Sequence, residues 1–163
     1  MTGVQTCALP ILAIWDCPNL ISIGDLRELQ SLNHLRIVRC QKLRHLPDGL
    51  DCLTRLKRLW IGGFCEELDV STILCSIQHL QTSLEVLVLF GCDKLNTPPD
   101  EILRFTGLKH LSIYECRSER TFYKWFKRRM PLLRVYISDS ESSCKFTYTL
   151  LYPLLLSSQQ SHF

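Results

Sequence analysis

A nine-residue pattern, L-x-[IL]-x-x-C-x-x-L, recurs along the chain and decides most of what it can fold into. It reads LAIWDCPNL at 12–20, LRIVRCQKL at 35–43 and LVLFGCDKL at 87–95; LSIYECRSE at 111–119 follows it up to the last position. The leading residues are Leu12, Leu35, Leu59, Leu87 and Leu111, with Val135 as a weaker sixth, spaced 23, 24, 28, 24 and 24 residues apart. Leu32, Leu56, Leu84, Leu108 and Leu132 each stand three residues ahead of one of the last five. Within L-x-[IL], two apolar residues two apart share one side of an extended strand. Each repeat therefore predicts one short strand, with its leucines inward and the residues between them outward. One repeat cannot bury its own apolar side, so the copies must stack.

A period in the twenties with L-x-x-L-x-[IL]-x-x-C is the signature of leucine-rich repeats. The expected fold class is α/β: a leucine-rich-repeat solenoid of about six repeats. Its parallel strands would form a curved sheet on the concave side, with loops and short helices returning along the convex side. HLPDGLDCLTR (45–55) and NTPPDEILRFTG (96–107) supply return paths. Pro47, Pro98 and Pro99 set their bends, since proline fixes φ and lacks a donor. Asp48 or Asp100 is expected to cap a short helical turn. The 28-residue repeat carries the insertion STILCSIQHLQTS (71–83), where the spacing of Ile73, Leu74, Ile77 and Leu80 predicts a helix.

The solenoid is assigned to residues 12–139. Residues 1–11, MTGVQTCALPI, are unrelated to the repeat. They read as a translated sequencing-library adapter, ACT-GGA-GTT-CAG-ACG-TGT-GCT-CTT-CCG-ATC matching Thr2 through Ile11, with a real N-terminal arm as the alternative, and are set aside as non-native. Residues 140–163 form an irregular tail, either read-through of non-coding sequence or a ragged C-terminal cover. Its leucine run, broken by Pro153, is too short to cross a bilayer. Without a polar cap ahead of Leu12, the isolated segment is expected to be poorly soluble.

The nine cysteines include no C-x-x-C pair. Cys17, Cys40, Cys92 and Cys116 each fall five residues after a leading leucine. They are expected to stack as small buried hydrophobes where the chain leaves the sheet. A metal or redox site is the alternative, but no His or carboxylate pattern completes a four-ligand shell. Phe64 holds the same slot in the third repeat, with Cys65 beside it. A formal charge of +3, from 19 basic and 16 acidic residues, is too balanced to argue for nucleic acid on bulk charge. No apolar run reaches the ~18 residues of a membrane span, and the N-terminus lacks a secretory leader pattern. No catalytic residue, cofactor or metal is expected, and no nucleic-acid or membrane partner. His34 and His110, without a matched nucleophile, read as solvated. Lys124, Lys127, Arg128 and Arg129 in YKWFKRRMP read as a solvated convex face, with a nuclear-import or phosphate patch as the alternative.

The segment CQKLRHLP (40–47), its near-match CDKLNTPP (92–99) and the run LDCLTRLKRLWI carry a narrower likeness. They resemble the leucine-rich-repeat region of plant nucleotide-binding disease resistance proteins of the coiled-coil class, over residues 12–139. The resemblance implies a non-enzymatic recognition segment of an intracellular immune receptor, cytoplasmic with a nuclear pool allowed. Its partners would be a pathogen effector, a guarded host protein, or the receptor's own nucleotide-binding domain held inactive. The alternative is a substrate-recruiting F-box leucine-rich-repeat adaptor, although the Ile-Thr-Asp-like segment usual there is absent. The phosphate-binding G-x-x-x-x-G-K-[ST] loop does not occur in this chain, so a nucleotide switch would lie upstream. Glu119 replaces the expected leucine of the fifth repeat, with Phe122 placed to compensate, and Ser140 holds the cysteine slot of the sixth.

Partner contact is expected on the outward strand positions: Trp15, Arg36, Arg58, Trp60, Val88, Phe90, Tyr114 and Tyr136. Exposed aromatics and arginines are the usual interface anchors, and Phe90 is the leading candidate. The competing reading is that the aromatics merely shield the sheet.

Overall fold

A computed structural model describes residues 11–65 and 68–139. The segments 1–10 and 140–163, on which the adapter and tail readings fall, lie outside the described residues. Six strands form one parallel sheet in sequence order: β1 (Ile11–Trp15), β2 (His34–Val38), β3 (Arg58–Gly62), β4 (Val86–Phe90), β5 (His110–Tyr114) and β6 (Arg134–Ser138). The leading residues pair in register throughout, Leu12 with Leu35, Leu35 with Leu59, and so on to Leu111 with Val135. Ile11 already pairs with His34, so β1 begins one residue inside the segment set aside above.

The inward leucines, isoleucines and the return segments share one core. Leu35, Leu59, Leu87, Leu111, Ile37, Ile61, Leu89 and Ile113 are wholly buried in it. Their uniform spacing lets each side chain sit on its copy in the next strand, at ~4.8 Å steps. The strand entrances are tied together as well. One carbonyl, Lys57 O, accepts from the N–H groups of both Glu85 and Val86, and Glu85 O from those of both Lys109 and His110.

The return paths differ by repeat. The insertion forms α1 (Val70–Ser76) and a following 3₁₀ turn, Gln78–Leu80, and its four apolar residues are buried as their spacing predicts. Asp69 caps α1, its Oδ1 accepting from Thr72 N–H at 2.8 Å. The expected caps are not made. The turn at Leu50–Cys52 starts from Gly49 at φ 80°, and that at Asp100–Arg104 from Pro99, neither with a side-chain cap. Asp100 sits one residue too late, in the first turn.

The fifth return path is an 11-residue helix, α2 (Glu119–Arg129). Phe122 and Phe126, one turn apart, are buried in the core and replace the leucine absent at 119. This helix shifts the approach to β6. Leu133, not Leu132, is the buried residue, and Leu132 is 95% exposed. Leu133 N–H bonds to Met130 O, as Leu56 N–H does to Leu53 O. The last repeat therefore enters its strand one residue shorter than the others.

Candidate interaction face

The turn off each strand is built by backbone conformation first. The residue four after each leading leucine takes a positive φ: Asp16 49°, Arg39 56°, Gly63 69°, Gly91 69° and Glu115 61°. Left-handed backbone is uncommon for residues other than glycine. Cysteine follows. Cys40, Cys92 and Cys116 are wholly buried and Cys17 is half-buried. Cys17 Sγ–H donates to Trp15 O at 3.3 Å and Cys40 Sγ–H to Val38 O at 3.6 Å. The cysteine carbonyls accept from the leucine three later, Leu20 from Cys17, Leu43 from Cys40 and Leu95 from Cys92. In the third repeat Cys65, rather than Phe64, makes this turn to Leu68. Burial pushes the Cys92 thiol far above its ordinary range, with neighbouring Cys116, Glu115 and Asp93 adding to it. Burial also raises Cys40 and Cys116. Such thiols are poor nucleophiles. Among the described residues no group of three or more His, Cys, Asp or Glu side chains is placed to hold a metal ion.

The face of the sheet opposite the core carries the expected contact residues, and the register places them in rows. Arg36 pairs with Trp60, Trp60 with Val88, and Val88 with Ser112; Ser112 pairs with Tyr136. Their exposure differs from expectation. Trp60, Val88, Phe90 and Tyr114 are 1–3% exposed, and Arg36 only 9%. Trp15 at 52% and Tyr136 at 41%, on the two edge strands, remain open. Arg58 is half-buried.

Neighbouring side chains on this face lie across one another. The Arg36 guanidinium sits 3.8 Å above the Trp60 ring, and His34 tilts against the same ring at 6.1 Å. The Phe90 and Tyr114 rings stack at 5.0 Å, and Tyr136 leans on Tyr114 at 5.7 Å. Gly62 is required beneath this layer, because a Cβ there would meet Phe90 O at 2.3 Å.

His34 is not solvated. It is 2% exposed, and its Nε2 accepts from Arg36 Nε at 3.3 Å, which requires a neutral ring protonated on Nδ1. Burial, reinforced by Arg36 and Arg58, lowers its pKa from 6.5 to about 4. His110 is half-buried, and its pKa is lowered by burial and then by Arg134 and Lys109, against an opposing contribution from Glu85.

Searches against protein-family models, curated proteins and solved structures found no significant match.

One feature of the rim was not anticipated. Arg39 reaches Asp16 at 3.7 Å on one side and Glu115 at 3.7 Å on the other, although β3 and β4 lie between β2 and β5. Gly63 and Gly91 leave the path clear: a Cβ on Gly63 would lie 3.3 Å from Arg39. Glu115 Oε2 also accepts from Gly91 N–H at 2.8 Å. The signal was present in the sequence as the row Asp16, Arg39, Gly63, Gly91, Glu115, in which long opposite charges flank two glycines.

Proposed function

We propose that this chain is a leucine-rich-repeat recognition segment of an intracellular plant immune receptor, and that its open sheet face binds protein. The observation that carries the reading is the layer on that face. Arg36 lies over the Trp60 ring, Phe90 stacks on Tyr114, and Trp60, Phe90 and Tyr114 share one packed cluster. Interface hot spots favour Trp, Tyr and Arg held rigid before contact, since little side-chain entropy remains to be lost. Trp15 and Tyr136, on the two edge strands, supply the accessible anchors on either side of this cluster. Recognition would proceed by surface complementarity, with a population shift in an upstream nucleotide-binding domain and no bond chemistry here. The buried high-pKa thiols and the buried neutral His34 support a binding role over catalysis.

Two measurements test this. The genomic sequence upstream of Leu12 should encode a G-x-x-x-x-G-K-[ST] loop; an F-box there assigns the chain to a substrate adaptor instead. A Trp15→Ala, Tyr136→Ala double variant should retain its fold by circular dichroism and lose the proteins retained by the parent chain from plant extract. Equal retention by both would remove the open face from consideration.

A further inference from the structure

Positive charge is concentrated on one segment, centred on α2. Between Arg117 and Arg134 the chain carries seven basic side chains and one carboxylate, Glu119. The other 145 residues carry twelve basic and fifteen acidic ones, so the formal +3 is a local excess of six against a deficit of three. Bulk charge hides this.

Helix α2 arranges the excess in a line. Phe122 and Phe126 face the core. At about 100° per residue, Arg120, Lys124, Lys127 and Arg128 fall on the opposite side. Arg120, Lys124 and Arg128 are exposed and make no ion pair among the described residues. Lys127 Nζ donates to Leu133 O at 3.1 Å and lies 5.8 Å from the ring of Tyr123, itself 45% exposed. The basic line thus adjoins the turn that carries Leu132. That leucine is 95% exposed and, with Leu103, Met130 and Pro131, lines an open apolar groove beside Arg129.

The pairing of these features selects the partner. Nucleic-acid phosphates would satisfy the cations but offer Leu132 nothing. A bilayer surface rich in anionic headgroups offers both, with charge for the basic line and an acyl layer a few ångströms deeper for an exposed leucine. Tyrosine favours the level between them. We propose that α2 and the turn at 130–132 form a peripheral docking surface for anionic lipid bilayers. No helix of the described residues is long and apolar enough to cross a membrane, so contact through α2 would be at the surface. This surface lies on a return path, apart from the open sheet face, and stands or falls independently of the protein-recognition reading.

The test is co-sedimentation of the full chain with phosphatidylcholine vesicles, with and without phosphatidylserine. The parent chain should bind only the phosphatidylserine vesicles, and less as salt rises. Lys124→Ser with Arg128→Ser should weaken binding about 25-fold, near fivefold per charge. Leu132→Ser, which keeps the charge, should weaken it about fivefold. All three residues are exposed, and thermal melts of the variants should match the parent. Failure of the parent chain to bind phosphatidylserine vesicles overturns the proposal without any variant. So does binding indifferent to Leu132→Ser, or a preference for duplex DNA over vesicles, either of which marks a purely electrostatic surface.

Discussion

The middle strands of the sheet are closed to water on both faces, by different packing. On the core face, Leu59 and Leu87 are sealed between layers, with return segments pressed against them. On the open face, Trp60 and Phe90 are almost as inaccessible, packed with Val38, Val88 and Tyr114 in a smaller cluster of their own. Low exposure therefore has two physical meanings. In the core it means a fixed volume, in which lost atoms leave a cavity. On the open face it means membership of a small cluster, with fewer neighbours to hold each side chain in place.

That difference can be measured. Leu87→Ala should destabilise the chain by about 2–5 kcal/mol in urea melts, since the cavity cannot collapse. Phe90→Ala removes a larger side chain but should cost less, about 1–2 kcal/mol, because the smaller cluster can relax around the gap. Equal costs would mean that the open face behaves as a second core.

His34 sharpens the comparison through pH. Its folded pKa, about 4, lies below the unfolded value of 6.5. The unfolded chain therefore binds the extra proton first as pH falls, and stability drops between about 6.5 and 4 by roughly 1–2 kcal/mol. His34→Gln should flatten that part of the stability–pH curve. An unchanged slope would show that the Arg36–Trp60–His34 layer opens readily.

Two smaller effects probe the rim where the faces meet. A double-mutant cycle on Arg39 and Glu115 should give a coupling of about 1 kcal/mol, reduced by salt, since the two groups are 3.7 Å apart and about a quarter exposed. Thiol labelling of the native chain should modify Cys75, which is exposed, while leaving Cys40, Cys92 and Cys116 unmodified. Labelling of Cys92 at the rate of Cys75 would contradict its burial.

The sequence was most legible where one period controls everything. Strand positions, register and the inward leucines follow from the spacing of Leu35, Leu59, Leu87 and Leu111, because identical side chains stack only in register. It was less legible where a repeat departs from that period. Phe122 and Phe126 signalled α2 by their helical spacing, but the basic residues between and after them drew attention to charge. The resulting one-residue shift to Leu133 depends on where the helix ends, which propensity fixes poorly. The open face was legible in composition and not in exposure. Whether Phe90 is accessible depends on Tyr114, 24 residues away, and on the angle at which their rings meet.

The Arg39–Glu115 contact has a mechanical side. It crosses three strand-to-strand steps with one pair of side chains, so small changes at each step add up at its ends. If a bound partner flexed the sheet, this pair would lengthen or slacken more than any hydrogen bond between adjacent strands. A chain carrying it has a built-in strain gauge at its rim, set across the two glycines that keep its path clear.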